Sequence, residues 1–399
     1  MKPLHPDAPG LHSARLSRRG FMRGSLAVAA ALGSPTVPGS VKAAAPRFKV
    51  LDTKVISQQP AYYHGWPTLG RRRNGELWLV WSGGREAHVC PFGQVCAMTS
   101  LDGGATWTWP RVLLDGAIDD RDAGVMETTK GSLLVTTFTS LAYVPALEQA
   151  EKGGTWPAEK LARWRAAHHR LGSDAQQREL GQWMLRSTDA GVTWSARYDC
   201  TVNSPHGPIQ LRDGRVLYPG KELWTGGRRV GVCVSGDDGQ TWKWLAEIPI
   251  RKGDSAEEYH ELHAVECTNG TVVVHIRNEN KANFGETLQT ESTDGGRTWS
   301  EPHSIGVWGL PSHLLRLRDG RLLMSYGHRR PPLGNQARLS DDNGKTWSEA
   351  MILSGDGASG DLGYPSSAQL GDGSLLTIWY EAIRGQSQAV LRQARWTLG

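Results

Sequence analysis

Cysteine is scarce. The 399 residues hold five, Cys90, Cys96, Cys200, Cys233 and Cys267. An odd number at wide spacing makes neither a disulfide framework nor a zinc-ligand pattern. Cys90 and Cys96 are close enough in sequence to pair in an oxidising compartment; buried free thiols are the other reading. Long helical periodicity is also rare, which argues against a helical bundle. The longest apolar run is too short to cross a bilayer, so a membrane anchor is not expected. Charged residues make up 21% of the chain and the net charge is +5, with part of that excess in the first 25 residues. No basic stripe interleaves with aromatics, and nucleic acid is not expected as a partner.

What the chain has in quantity is glycine (48) and tryptophan (17), and they recur in register. The pattern S-x-D-x-G-x-T-W occurs at Ser100–Trp107, Ser187–Trp194, Ser235–Trp242, Ser292–Trp299 and Ser340–Trp347. A second repeat interleaves with it: a turn ending in Gly75, Gly131, Gly214, Gly270, Gly320 or Gly373, each followed by a short apolar run such as "ELWLVW" or "TVVVHI". Asn-Gly and Asp-Gly between apolar runs are strong hairpin signals. Six hairpins, most of them about 50–56 residues apart, fit four short strands per unit and six units in a ring. The expected fold is therefore all-β, a six-bladed β-propeller. Its Asp and Gly form tight turns between the outer strands, and its Trp packs into the blade. The sixth unit has no such turn and ends in "AVLRQARWTL". The strand "RFKVLDTKVI" near the other end is expected to close that blade and so remove the exposed sheet edges.

Two segments depart from the repeat. Ser17-Arg18-Arg19-Gly20-Phe21-Met22, an Ala/Leu run and "VKAAA" have the form of a twin-arginine export signal cleaved near Ala45. Residues 1–45 are read as that signal and 46–399 as the propeller, giving an exported periplasmic or secreted protein. An insertion at about 141–182, in the second blade, carries Pro157 and an Ala/Glu/Leu/Arg-rich stretch that predicts one or two helices. It forms either a rim over one propeller face or a surface decoration.

The ligand site of a propeller sits where the innermost strands converge. Counting nine residues back from each turn glycine gives one position per blade: Trp66, Asp122, Pro205, Glu261, Pro311 and Tyr364. An acid, a carboxylate and a phenol in one column form a possible acid, base and nucleophile set. Seven residues after a turn glycine stands Arg277, and ten after stand Arg85 and Arg330. Arginines at strand ends near the axis are suited to hold a carboxylate in bidentate fashion. Histidines gather in the same regions: His64, His88, His206, His260, His263, His313 and His328. No helical H-x-x-x-H or cysteine pair supports a metal site, so hydrogen-bonding or acid/base roles are expected for them.

With these residues in place, the chain resembles the sialidase superfamily of six-bladed propellers with Asp-box repeats, over nearly all of residues 48–399. The resemblance implies a Glu in the fourth blade that activates a nucleophile and an Arg after its turn. "ELHAVECTNGTVVVHIR" offers Glu261 and Arg277. It implies a Tyr nucleophile in the last blade with an acidic residue beyond it. "GYPSSAQLGDGSLLTIWYE" offers Tyr364 and Glu381. It implies a further Arg in the fifth blade, where "YGHRRPPLGNQARLS" offers Arg329 or Arg330, with Arg330 preferred. His64 and Asp361 complete the substrate-binding set. Two motifs differ. The first blade reads "HGWPTL" where the superfamily has Arg-Ile-Pro, and "EAHVCPFGQVC" has no Asp where the acid/base is expected. Either Arg121 and Asp122 take these roles, or Arg85 and His88 do, or the substrate differs.

The leading expectation is an exo-acting glycoside hydrolase, a sialidase or an enzyme for a related carboxylated sugar, acting on an acidic glycan without metal or other cofactor. The alternatives are a glycosidase or polysaccharide lyase for another acidic sugar, and a non-catalytic glycan-binding propeller.

Overall fold

The computed structural model describes residues 46–224, 227–386 and 388–399. The expected export signal lies outside them. The described strands form six four-stranded antiparallel sheets arranged in sequence order. The innermost strands are Tyr63–Arg71, Asp119–Glu127, Ile209–Gln210, Tyr259–Glu266, Ser312–Arg316 and Leu362–Gln369. Each leads through its Gly turn into a second strand: Leu77–Arg85, Leu133–Ser140, Val216–Lys221, Val272–Asn278, Leu322–His328 and Leu375–Glu381. All six turn glycines have φ between 85° and 95°, which a side chain rarely adopts.

The ring closes as expected. Phe48–Val55 pairs antiparallel with Val390–Leu398, from Phe48 opposite Leu398 to Val55 opposite Arg392. Closure leaves the sixth sheet with three strands from one end of the propeller and one from the other. All five cysteines are buried free thiols, so Cys90 and Cys96 do not pair.

The five Ser/Asp/Gly/Thr/Trp turns share one hydrogen-bond network. In the second blade the Ser187 hydroxyl donates to Asp189 Oδ1 at 2.8 Å and accepts the Gly191 amide at 2.8 Å, while the Thr193 amide donates to Asp189 Oδ1 at 2.9 Å. The same bonds recur in the other four. Thr hydroxyl and amide donors hold the Asp102 and Asp189 carboxyls down to about 2. These aspartates organise turns.

The turns also join the blades. In each, the glycine three residues before the Trp lies against the second strand of the preceding blade: Gly104 on Leu376, Gly191 on Trp78, Gly239 on Leu134, Gly296 on Leu217 and Gly344 on Val273. Trp107 and Trp347 likewise donate their indole N–H across to Gln393 and Gln289 of the preceding blade. The expectation that Trp packs within its own blade is thus too narrow, because the whole turn acts as a wedge between neighbours.

The insertion carries three helices, α1 (Val144–Gly153), α2 (Ala158–His168) and α3 (Ser173–Glu179). The number exceeds the expected one or two because the segment before Pro157 also folds. It has Pro145 in its first turn and ends on Gly154, whose φ of 60° terminates the helix.

Gly191→Ala combines a left-handed backbone with a Cβ placed 2.2 Å from Trp78. The expected loss is about 2–4 kcal/mol, read as a lower urea midpoint with an unchanged slope.

Candidate active site

The column read from the sequence is a repeated backbone device. Trp66, Asp122, Glu261 and Tyr364 have φ of 54°, 43°, 30° and 52°, all in the left-handed region. At each of them the ladder to the second strand loses register: between Gly65 and Thr68, Arg121 and Gly124, His260 and Leu262, and Gly363 and Ser366. An extra residue bulges out of the pleat and turns one side chain toward the axis. Four non-glycine residues in this conformation cost on the order of 1–2 kcal/mol each. Strain of this kind collects at functional sites.

Two of these side chains and one strand end meet. The Tyr364 hydroxyl donates to Glu261 Oε1. Arg277 Nη1 donates to Glu261 Oε2 at 2.8 Å and to the Tyr364 hydroxyl at 3.2 Å. The other edge of the guanidinium is taken by Glu279, with Nε to Oε1 at 2.9 Å. Burial works against an ionised Glu261, but the Arg277 charge and the bonds from Tyr364 and Arg277 outweigh it and hold the carboxyl below its usual range. Burial and the Glu261 charge push the Tyr364 phenol well up, so it stays protonated at neutral pH.

Asp122 stands on the second blade with 6% of its surface exposed, and its Oδ1 has no partner among the described residues. Burial raises its pKa to about 7; Arg121 opposes the shift and the Glu261 charge adds to it. One carboxyl is therefore held as a base and its neighbour as an acid, the division of roles that acid/base catalysis needs. Arg121 lies over Trp66, 4.5 Å from the ring centroid, and its buried Nε has no partner among the described residues. Trp66 itself is 1% exposed and packs against Tyr63, His88, Tyr364 and Tyr380.

At the rim, Asp361 accepts from the Tyr63 and Tyr380 hydroxyls at 3.0 Å each, and the His88 ring Nδ1 lies 3.0 Å from it. Burial disfavours the Asp361 charge, yet these donors keep the carboxyl below its ordinary value. The loop that carries His88 is pinned from both sides. Arg85 donates to the His88 and Ala87 carbonyls from within. From outside, Arg163 and Trp164 of α2 donate to Glu86 at 3.0 Å each, and Cys90 packs with Tyr143, Leu147 and Trp164. The insertion is thus a buttress on the rim.

Several expected residues stand elsewhere. Arg85 is fully buried, and Asp119 takes it in a bidentate pair at 2.6 and 3.0 Å, so it supports the wall and offers nothing to a ligand. Arg330 is exposed and stacks on Trp308, 3.9 Å from the ring centroid. Its neighbour Arg329 turns inward instead, donating to the Leu362 carbonyl at 3.1 Å and acting electrostatically on Tyr380. Glu381 is fully buried behind the sixth blade, bonded to Trp379 and Arg392, and touches neither Tyr364 nor the site arginines. His64 bonds the Gln59 carbonyl inside the core, with its ring beside Trp81. Tyr380, Tyr63 and Glu279 were not anticipated. Tyr380 follows Gly373 by seven residues, as Arg277 follows Gly270, so the same count finds it. Glu258, His260 and Glu279 bring ligand atoms within 4.8 Å of one another. Glu279 is already committed to Arg277, so these residues are a poor fit to a cation.

Asp119→Ala leaves the Arg85 charge buried and unpaired. The expected loss is about 3–5 kcal/mol of stability, measured by urea unfolding; a loss under about 1 kcal/mol would return Arg85 to the candidate ligand-binding residues.

Comparison with known proteins agrees with this architecture. A sialidase of Bacteroides fragilis is 26% identical over 312 residues, 71% of this chain and 53% of the relative. A sialidase of Paraclostridium sordellii is 24% identical, over 72% of this chain and 57% of the relative. The chain thus spans little more than half the length of these curated relatives. Among solved structures, a protein of unknown function from Dyadobacter fermentans matches with a TM-score of 0.71 at 23% identity, covering 88% of this chain and 99% of that one. The Hadza microbial sialidase Hz136 matches at 0.60 and 18%, over 83% of this chain and 65% of that one. The family model described as a BNR repeat-like domain matches residues 155–377, and the chain belongs to that family.

Proposed function

We propose that this protein is an exo-acting glycoside hydrolase for a terminal sugar that bears a carboxylate on its anomeric carbon, with sialic acid as the first candidate. The observation that carries the reading is the Tyr364–Glu261–Arg277 cluster on the left-handed bulges. A carboxylate nucleophile would be repelled by the carboxylate of such a sugar. A phenol is neutral until it attacks, which is the reason sialidases depart from the two-carboxylate scheme.

In this reading Arg121 and Arg329 receive the sugar carboxylate, and Arg277 adds its charge beside them while it holds Glu261 and Tyr364. Arg121 takes the place of the missing first-blade arginine. The Tyr364 oxygen bonds to the anomeric carbon while Glu261 accepts its proton, and Asp122 donates a proton to the leaving oxygen as the glycosidic bond breaks. In the second half Asp122 takes a proton from water, the hydroxide oxygen bonds to the anomeric carbon, and the Tyr364 oxygen leaves and recovers its proton from Glu261. His88, set by Asp361 on the rim, faces the leaving group. Export through a twin-arginine signal would bring the enzyme to its glycans.

Release of 4-methylumbelliferone from its α-sialoside by the full chain, beside Tyr364→Phe, tests the assignment. The variant is expected to lose at least about a thousandfold in kcat/KM with an unchanged fold. No turnover by the wild type would move the substrate to another acidic sugar. An ultraviolet-absorbing unsaturated product would identify a lyase.

The acid also predicts a pH profile. Asp122 must be protonated, so activity falls as pH rises through about 7. Glu261 must be ionised, and its lowered pKa keeps the acid limb below the ordinary glutamate range. Asp122→Asn should abolish the alkaline limb of kcat/KM and spare kcat/KM for substrates whose leaving group needs no proton, while kcat falls because nothing then takes the proton from water. An unchanged alkaline limb in that variant would transfer the acid role to His88.

A further inference from the structure

The central channel has a second mouth, on the side of the Gly turns. A cavity of about 420 Å³ opens there, lined by the turn-proximal parts of the innermost strands. Its inner end is a cluster of three buried histidines, His206, His263 and His313, with ring centroids 4.5–5.4 Å apart. His206 lies 6.4 Å from the Tyr364 ring, so the histidines separate this cavity from the candidate active site.

The hydrogen bonds decide what the cluster can bind. His263 Nδ1 accepts the Leu314 amide at 2.9 Å, and His313 Nδ1 accepts the Ser367 amide at 3.4 Å. An amide N–H only donates, so in both rings Nδ1 is the lone pair and Nε2 carries the hydrogen. Neither Nε2 has a partner among the described residues. His206 is 3% exposed and packs behind the other two, with both ring nitrogens shielded and without a partner among the described residues. The His263 and His313 rings therefore offer N–H donors to the cavity. A cation would need Nε2 lone pairs that these tautomers lack. The mouth adds positive charge. Arg71 has no acceptor among the described residues, and Arg316 and Arg318 are bonded to backbone carbonyls, which leave their charge unneutralised. The carboxylate at the mouth, Glu127, is paired with Arg72.

From this geometry we propose that the turn-side mouth of the channel is a binding site for a small oxyanion, held by the His263 and His313 N–H groups and by Arg71, and separate from the candidate active site. Burial keeps the rings uncharged when empty, His313 down to about 3. Recognition then rests on hydrogen bonds at the floor and on charge at the mouth.

Calorimetric titration of the full chain with inorganic phosphate, at constant ionic strength, tests this. Saturable binding is expected in the range of about 1–10 mM, weakened at least about tenfold by Arg71→Ala and by His263→Phe. Tyr364→Phe and Arg277→Met should leave it unchanged. Arg71 is partly exposed, so its variant remains informative if His263→Phe does not fold. Absence of saturable heat would overturn the proposal. So would binding that survives Arg71→Ala and disappears with Arg277→Met, which would place the anion in the cleft.

Discussion

Everything at the axis depends on one strand pairing. Phe48–Val55 is separated from Val390–Leu398 by the whole ring, and their ladder is what turns six sheets into a closed circle. Without it the sixth blade would end on the open edge of Val390–Leu398. Tyr63, Trp66 and His88 of the first blade would also lose their contacts with Asp361, Tyr364 and Tyr380 of the sixth. The wedge turns act in the same sense, since each fixes one blade on its predecessor by a glycine that meets the second strand at close range. The site is held by closure over hundreds of residues of chain.

Within the ring, the left-handed bulge gives the axis its chemistry. A regular strand alternates its side chains between the two faces of its own sheet, and neither face looks down the channel. One extra residue in four of the six innermost strands breaks that alternation. The bulge places Tyr364 on Glu261 and Asp122 within electrostatic reach of both. The same burial then acts differently on each group. Glu261 has Arg277 bonded to it and stays ionised, whereas burial of Asp122 outweighs the Arg121 and Arg85 charges and it keeps its proton to about 7.

The parts legible in the sequence are those set by local chemistry at a constant spacing. Gly turns, Asp turns and the number of blades follow from short motifs. The column of Trp66, Asp122, Glu261 and Tyr364 survives because each strand keeps the same count to its own turn. Legibility ends where the strand ends. Arg329 and Arg330 are adjacent and lie past the last strand pair in a loop with Pro331 and Pro332, so no alternation says which faces the axis. Arg85 reads as a ligand arm until Asp119, 34 residues on, is seen to hold both of its nitrogens. Glu381 has the spacing of a site residue, but strand alternation sends it behind the blade to Arg392. The pairing of Asp361 with Tyr63 and His88 across the closure joins the two ends of the propeller, and no local pattern encodes it.

The central claim is that Tyr364 is the nucleophile and the carboxylates around it only move protons. Intact mass and peptide mapping after treatment with a fluorinated sialoside, one that forms a glycosyl-enzyme but releases it slowly, test that claim directly. The account expects one adduct per chain, on the peptide that holds Tyr364, and none in Tyr364→Phe. An adduct on Glu261 or Asp122, or turnover of the parent sialoside by Tyr364→Phe at the wild-type rate, would contradict it.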